Sequence, residues 1–231
     1  MTLQFKKNSY IQASAAGAYH CANTVNSDSA QQFLTYLLEC NETPLLTETL
    51  ILEHLDSTLG TALKLLKYMH DLKWLQSFDE PQQVISGALE DILPDILMPL
   101  SLDKKIMLAD AQGFYISTVG FPHETAEELA ALSADLSSLY ERHKGLLAGN
   151  LHCNGQNWSM VDAGGYSKLG FWPLHINKGR PDKETFTLII SGFPKLEHPN
   201  FSSLVWTLFE RYSSKADMNS SMDSTVKHIA L

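Results

Sequence analysis

Two short apolar runs, Ile106–Ala109 and Phe114–Val119, are separated by Asp110-Ala-Gln-Gly113. Apolar runs of strand length joined by turn residues predict a β-hairpin, and Gly113 is where a positive backbone φ costs least. The period then changes. Leu129, Leu132, Leu136, Leu139 and His143 recur at 3-4-3-4 spacing, which puts them on one stripe of a helix. Asp135, Glu141, Arg142 and Lys144 mostly lie off that stripe. Thr125 stands three residues before Glu128 in the manner of a capping box, so the helix is expected to open there. Gly145 and Gly149 are its expected stops.

Upstream, Tyr10-Ile-Gln12 and Ala18–Ala22 bracket Ala15-Ala16-Gly17 and suggest a small hairpin. From Ser29 a helix is expected, with Phe33, Leu34, Leu37 and Leu38 on one face, ending at Asn41–Pro44 because the residue before a proline leaves helical angles. Thr47 and Glu48 open a short second helix with Leu50, Ile51 and Leu55. After the break Asp56-Ser57-Thr58, a third helix carries Ala62, Leu63, Leu65, Leu66, Met69 and Leu72. Residues 74–78 alternate as a strand and 79–81 turn. Residues 81–100 connect to a second unit and open its first helix, where Ile85, Leu89, Ile92 and Leu93 are helically spaced and Pro94 must kink or stop it. The boundary is placed between residues 82 and 83.

Downstream, residues 157–161 form a strand and Gly164-Gly165 a turn. The next strand, 169–176, contains Pro173, which argues for an edge position or a bulge. Residues 177–183 form a link rich in turn residues. The run 185–191 is dense in β-formers and reads as the central strand. Phe201, Leu204, Val205, Leu208 and Phe209 share one face of a closing helix, and residues 213–231 make a polar tail.

Composition narrows the classes. Of 231 residues, 44% are hydrophobic, enough to bury a proper core. No run approaches the ~18 apolar residues of a membrane span, and the N-terminus lacks the apolar core of a secretory signal. A cytoplasmic location is expected. Cys21, Cys40 and Cys153 are odd in number and widely spaced, as in a reducing compartment. His20-Cys21 and His152-Cys153 lack the accompanying spacing of a metal site, so no metal or other cofactor is expected. Phosphate-loop, nucleophile-elbow, zinc-protease and dinucleotide motifs are missing from the sequence, and no enzyme is expected. Trp158, Phe171, Trp172 and Phe186 could line a ligand pocket, but core packing explains them more simply.

The stretch TPLLTETLILEHLDSTLGTALKLLKYMHDLKWLQSF resembles a winged helix-turn-helix module over residues 29–80. That resemblance implies a third helix presenting Ser57, Thr58, Thr61, Lys64 and Tyr68 to nucleic acid. Charge opposes this: three lysines against nine carboxylates give residues 28–82 a net charge of −6, and phosphate contacts need cations. The segments IMLADAQGFYIST and AEELAALSADLSSLY resemble the roadblock/dynein light chain family, with Asp110 and Gly113 at its hairpin signature. The expected fold is therefore α+β. A small winged-helix-like domain (1–82) precedes a profilin-like roadblock domain (83–212) with a mainly antiparallel five-stranded sheet. The resemblance implies a homodimer through the long helix (Leu129, Leu132, Leu136, Leu139, His143) and an adjacent strand edge. It also implies regulatory or scaffolding contact with a small Ras-like GTPase or an assembly partner. The same leucines could instead cover only their own sheet. The rival reading is a winged-helix transcriptional regulator with a dimerising or GAF-like ligand-sensing domain.

Overall fold

The computed structural model describes residues 9–23, 28–55, 58–153, 155–176 and 184–213. In chain order the elements are β1 (Tyr10–Ala13), α1 (Ala15–Asn23), α2 (Ser29–Glu39), α3 (Glu48–His54), α4 (Leu59–Asp71), β2 (Leu75–Phe78) and α5 (Leu89–Leu97). These are followed by β3 (Ile106–Asp110), β4 (Tyr115–Val119), α6 (His123–Lys144), β5 (Trp158–Val161), β6 (Ser167–Ile176), β7 (Glu184–Ser191) and α7 (Pro199–Ser213). β1 and β2 pair antiparallel. The other five strands form one antiparallel sheet in the order β4-β3-β7-β6-β5, with β7 in the middle as its composition predicts.

The three inner strands of the five-stranded sheet, β3, β7 and β6, are buried on both faces over most of their length. Ile106 and Leu108 of β3, Phe186, Leu188 and Ile190 of β7, and Trp172, Leu174 and Ile176 of β6 point to one side. There they meet Phe201, Leu204, Val205, Leu208 and Phe209 of α7 and Leu93, Ile96 and Leu97 of α5. The alternate residues, Met107, Ala109, Phe171 and Ile189, face α6. This is the period-2 segregation that strand geometry imposes. The first core also takes in Ile11, Phe33, Leu37, Leu66 and Met69, so the described residues of both halves of the chain share one apolar cluster.

Residues 15–23 are not the return strand of a hairpin but helix α1. Alanine is the strongest helix former, and Ser14 caps the first turn: its Oγ accepts from Gly17 N–H (3.2 Å) and its carbonyl from Ala18 N–H (2.8 Å). Ala15, Gly17, Ala18, Cys21 and Ala22 form the buried side of α1, which packs on α7 and β6. α2 and α3 open as expected, with Asp28 accepting from Gln31 N–H and Thr47 Oγ1 from Leu50 N–H.

Two further boundaries and the place of one strand differ from the pattern. α5 begins at Leu89 rather than near Val84, leaving Ile85 exposed, and it carries Pro94 inside it. The proline removes one donor, and its would-be acceptor lies on Glu90, on the exposed side. α6 opens at His123 with Pro122 as N-cap, so Thr125 falls within the first turn. Gly145 is the C-cap of α6, as expected, and the chain continues beyond it as a π-helical segment, Gly145–Asn150. β6 is an interior strand despite Pro173. β5 pairs with β6 only from Ser167 to Phe171, and beyond that point the Pro173 carbonyl faces outward to accept from Asn23 Nδ2 (3.3 Å). The missing N–H therefore has no strand to serve. The link 177–183 and the tail from 214 lie outside the described residues.

A Cβ at Gly17 would run into the Trp74 carbonyl oxygen, because α1 abuts the α4–β2 turn there. Gly17→Ala, which would stabilise an exposed helix, should instead destabilise this protein by about 1–3 kcal/mol. A urea midpoint equal to or above that of the native protein would contradict this packing.

Candidate functional site

The chain must pass from β4, at one edge of the sheet, to β5 at the other, and α6 makes that crossing. Ala126, Ala130, Ser133 and Tyr140 are its buried residues, and Ala126 and Ala130 pack with Met107, Ala109, Phe171 and Ile189. The hydroxyls of this seam are satisfied within the helix. Ser133 Oγ donates to the Ala130 carbonyl (2.7 Å) and Ser137 Oγ to the Ser133 carbonyl (3.1 Å).

The leucines lie one position earlier along the helix, about 100° around its axis from this seam. Leu129 and Leu136 flank the small core and are half-buried, as is Leu139. Leu132 is 40% exposed, and His143 is exposed. Small residues make the closest approach to the sheet, and the leucine flank is left partly open. Fully burying a leucine side chain contributes about 1.5–3 kcal/mol, so roughly 1 kcal/mol per half-covered leucine is unclaimed within the described chain.

β5 continues this surface. Its outer side has no strand partner among the described residues. Met160 and Val161 are 63% and 60% exposed, while Trp158 stands opposite Phe171 with its indole N–H buried and lacking an acceptor among the described residues. Leu146 and Leu151, around the π-helical segment, are also exposed. An apolar helix flank beside an open strand edge is a surface for protein contact.

Two matching turns fix the ends of this sheet. In Asp110-Ala-Gln-Gly113-Phe114 the Asp110 carboxylate accepts from the N–H groups of Gln112 and Phe114, both at 2.9 Å. In Asp162-Ala-Gly-Gly165-Tyr166 the Asp162 carboxylate accepts from Gly164 (2.9 Å) and Tyr166 (3.1 Å). Gly113 and Gly165 hold positive φ in both. The Tyr166 N–H, with Lys168 nearby, holds the Asp162 carboxyl below its ordinary range.

On α4, Thr61, Lys64 and Tyr68 lie exposed, with Thr58 at the N-cap, its Oγ1 3.1 Å from Thr61 Oγ1. Ser57 lies outside the described residues. Lys67 is paired with Asp71 (2.6 Å), whose carboxyl it holds down. Tyr68 leans edge-on against Trp74. Among the described residues no group of three or more His, Cys, Asp or Glu could hold a metal ion, and no helix is long and apolar enough to cross a membrane.

The sequence pattern identified the leucine flank but missed the seam. The 4-3 spacing of the small residues Ala126, Ala130 and Ser133 is readable as a close-approach stripe. The Asp-Ala-x-Gly-aromatic repeat was equally visible.

A helix, two strands, a long helix, three strands and a closing helix, on an antiparallel sheet of this order, make a mixed α/β fold. Among solved structures, the chain is similar to Myxococcus xanthus MglB, at 19% identity over 54% of this chain and 99% of that one, with a TM-score of 0.35. It is also similar to a roadblock/LC7 domain from Streptomyces avermitilis, at 16% identity over 49% and 84% of the respective chains, with a TM-score of 0.29. No protein-family model and no curated protein matches the chain. Likeness at this level assigns neither partner nor activity.

Two outcomes follow from this geometry. Ala130→Leu should destabilise the fold by about 1–3 kcal/mol through overpacking of the seam, lowering the thermal midpoint; an unchanged midpoint would show that α6 does not sit on the sheet there. The Asp162 carboxyl is depressed, so the stability it contributes is present above the ordinary Asp value of about 3.9 and is lost as pH falls through its folded-state value. Amide resonances of Gly164 and Tyr166 should report loosening of the β5–β6 turn only in strong acid, and loosening already complete at pH 5 would refute this.

Proposed function

We propose that this chain is a non-enzymatic regulatory or scaffolding protein. In this reading residues 83–212 pair with a second copy through α6 and the β5 edge, and the assembled surface contacts a small Ras-like GTPase or another assembly partner. Residues 1–82 act as a winged-helix-like module for protein contact or spacing. The observation that supports it is the division of labour on α6: Ala126, Ala130 and Ser133 approach the sheet, while Leu129, Leu132, Leu136 and Leu139 stay partly open beside an unpaired strand edge. A self-complementary patch of this kind is most simply closed by a two-fold contact. The GTPase contact rests on the family resemblance in the sequence.

The test is a light-scattering mass measurement across concentration. The native chain should run as a dimer, and Leu132→Glu, at a half-open position, should shift it to monomer with its circular dichroism unchanged. A native chain that stays monomeric at high protein concentration would overturn the dimer. Co-purification from source cells tests the second step: the expected result is a nucleotide-binding partner, and a preparation that consistently lacks one would remove the GTPase contact.

The DNA reading gains no support from α4, where one of the exposed lysines is already neutralised. Titration with random duplex DNA at low salt should show no salt-sensitive affinity. A steep salt-dependent binding curve would favour the transcriptional regulator instead.

A further inference from the structure

An open cleft lies away from α6. It has a volume of about 740 Å³ and is walled by α1, the α4–β2 turn and the loop entering α7, a size within the range of ligand clefts. Tyr19, His20, Trp74 and Pro199 supply its apolar walls. His20 stacks on Trp74 with ring centroids 3.9 Å apart, and Tyr68 meets the Trp74 ring edge-on, so the indole is held in place. The backbone behind it is also fixed: the Trp74 carbonyl accepts from Ser14 N–H (2.9 Å), and Lys73, at positive φ, accepts from Ser14 Oγ (2.6 Å). The Trp74 indole N–H donates to no described residue. One strand further in, Gln12 pairs across from Gln76 of the cleft wall. It is almost wholly buried, and its Nε2 has no acceptor among the described residues.

We propose that this cleft binds a proline-rich segment of a partner protein, in the polyproline II conformation and flanked by basic residues. The cleft is open to solvent, so an extended segment can lie in it. Rigid aromatic walls pack against pyrrolidine rings, and a polyproline helix offers carbonyl acceptors with no N–H groups of its own, so it matches a wall with a free indole donor. Such a peptide also arrives with its conformational entropy largely lost already.

Charge selects the flank. The whole net charge of −9 arises between residues 28 and 95, where twelve carboxylates face three lysines; the remaining charges balance. Glu197 lies on the cleft wall. Lys73 is the cation of the lining, so the basic residues of the peptide belong at the Glu197 end.

Calorimetric titration of the full chain with an arginine-flanked oligoproline tests this, with an arginine-flanked Gly-Ser peptide as control. The oligoproline should bind saturably, and the control about tenfold or more weaker. Ala16→Gln adds bulk at an exposed helical position of the cleft and should weaken binding about tenfold. Trp74→Phe keeps the ring stacking but removes the donor, and it should weaken binding in the same direction. No saturable binding up to about millimolar peptide, equal affinity for the two peptides, or native affinity in either folded variant would overturn the proposal.

Discussion

The structure depends on how closely α6 can approach the sheet it crosses. Its path from the β4 edge to the β5 edge takes it over strands whose facing residues include Met107, Ile189 and Phe171, which are already substantial. Ala126, Ala130 and Ser133 let the helix axis sit low, since larger groups there would push it outward or force rotamers out of their wells. The same choice limits how much apolar surface the contact buries, because each alanine offers a single methyl group. The leucines one position away are therefore left partly covered. What this protein can do at that surface follows from a packing requirement inside it.

The opposite face has no such shortage. α7 buries Phe201, Leu204, Val205, Leu208 and Phe209 against β6 and β7, and α1 comes close to it through Ala15, Ala18 and Ala22. Polar ties lock the two halves of the chain together here. Ser202 Oγ donates to the Ala13 carbonyl (2.6 Å) and Trp206 Nε1 to the Cys40 carbonyl (2.6 Å). Deletion of one half would strip a large apolar area from the other, so residues of both halves contribute to one cooperative core.

Much of this was readable from the chain. The hairpin at 106–119, the central strand near 185–191, the closing helix and the α2-α3-α4-β2 series all carry strong periodicity, and they occur where the pattern puts them. The misses share a cause. Residues 15–23 are alanine-rich and mostly buried, so they show no polar face to mark their period. Pro173 and Pro94 were read by local rules, yet the short span of β5 and the exposure of Glu90 remove the expected penalty. The α6 seam was missed because alanine and serine carry almost no hydropathy signal; leucine spacing marks the apolar flank, and here the flank is not the seam. The cleft between α1, the α4–β2 turn and α7 joins positions more than a hundred residues apart, and no linear pattern encodes it.

In the proposed reading, function lies in surfaces. One surface is an apolar helix flank beside β5, whose outer edge has no strand partner among the described residues, and the account stands on its being closed by a second copy. The most direct measurement is an isotope-filtered NMR experiment on a mixture of labelled and unlabelled chain. The account predicts intermolecular contacts between the Leu132 and Leu136 methyl groups and the partner copy, with Met160 of β5 in the same set. Intermolecular contacts confined to other surfaces, or none at concentrations where the flank ought to be covered, would contradict it.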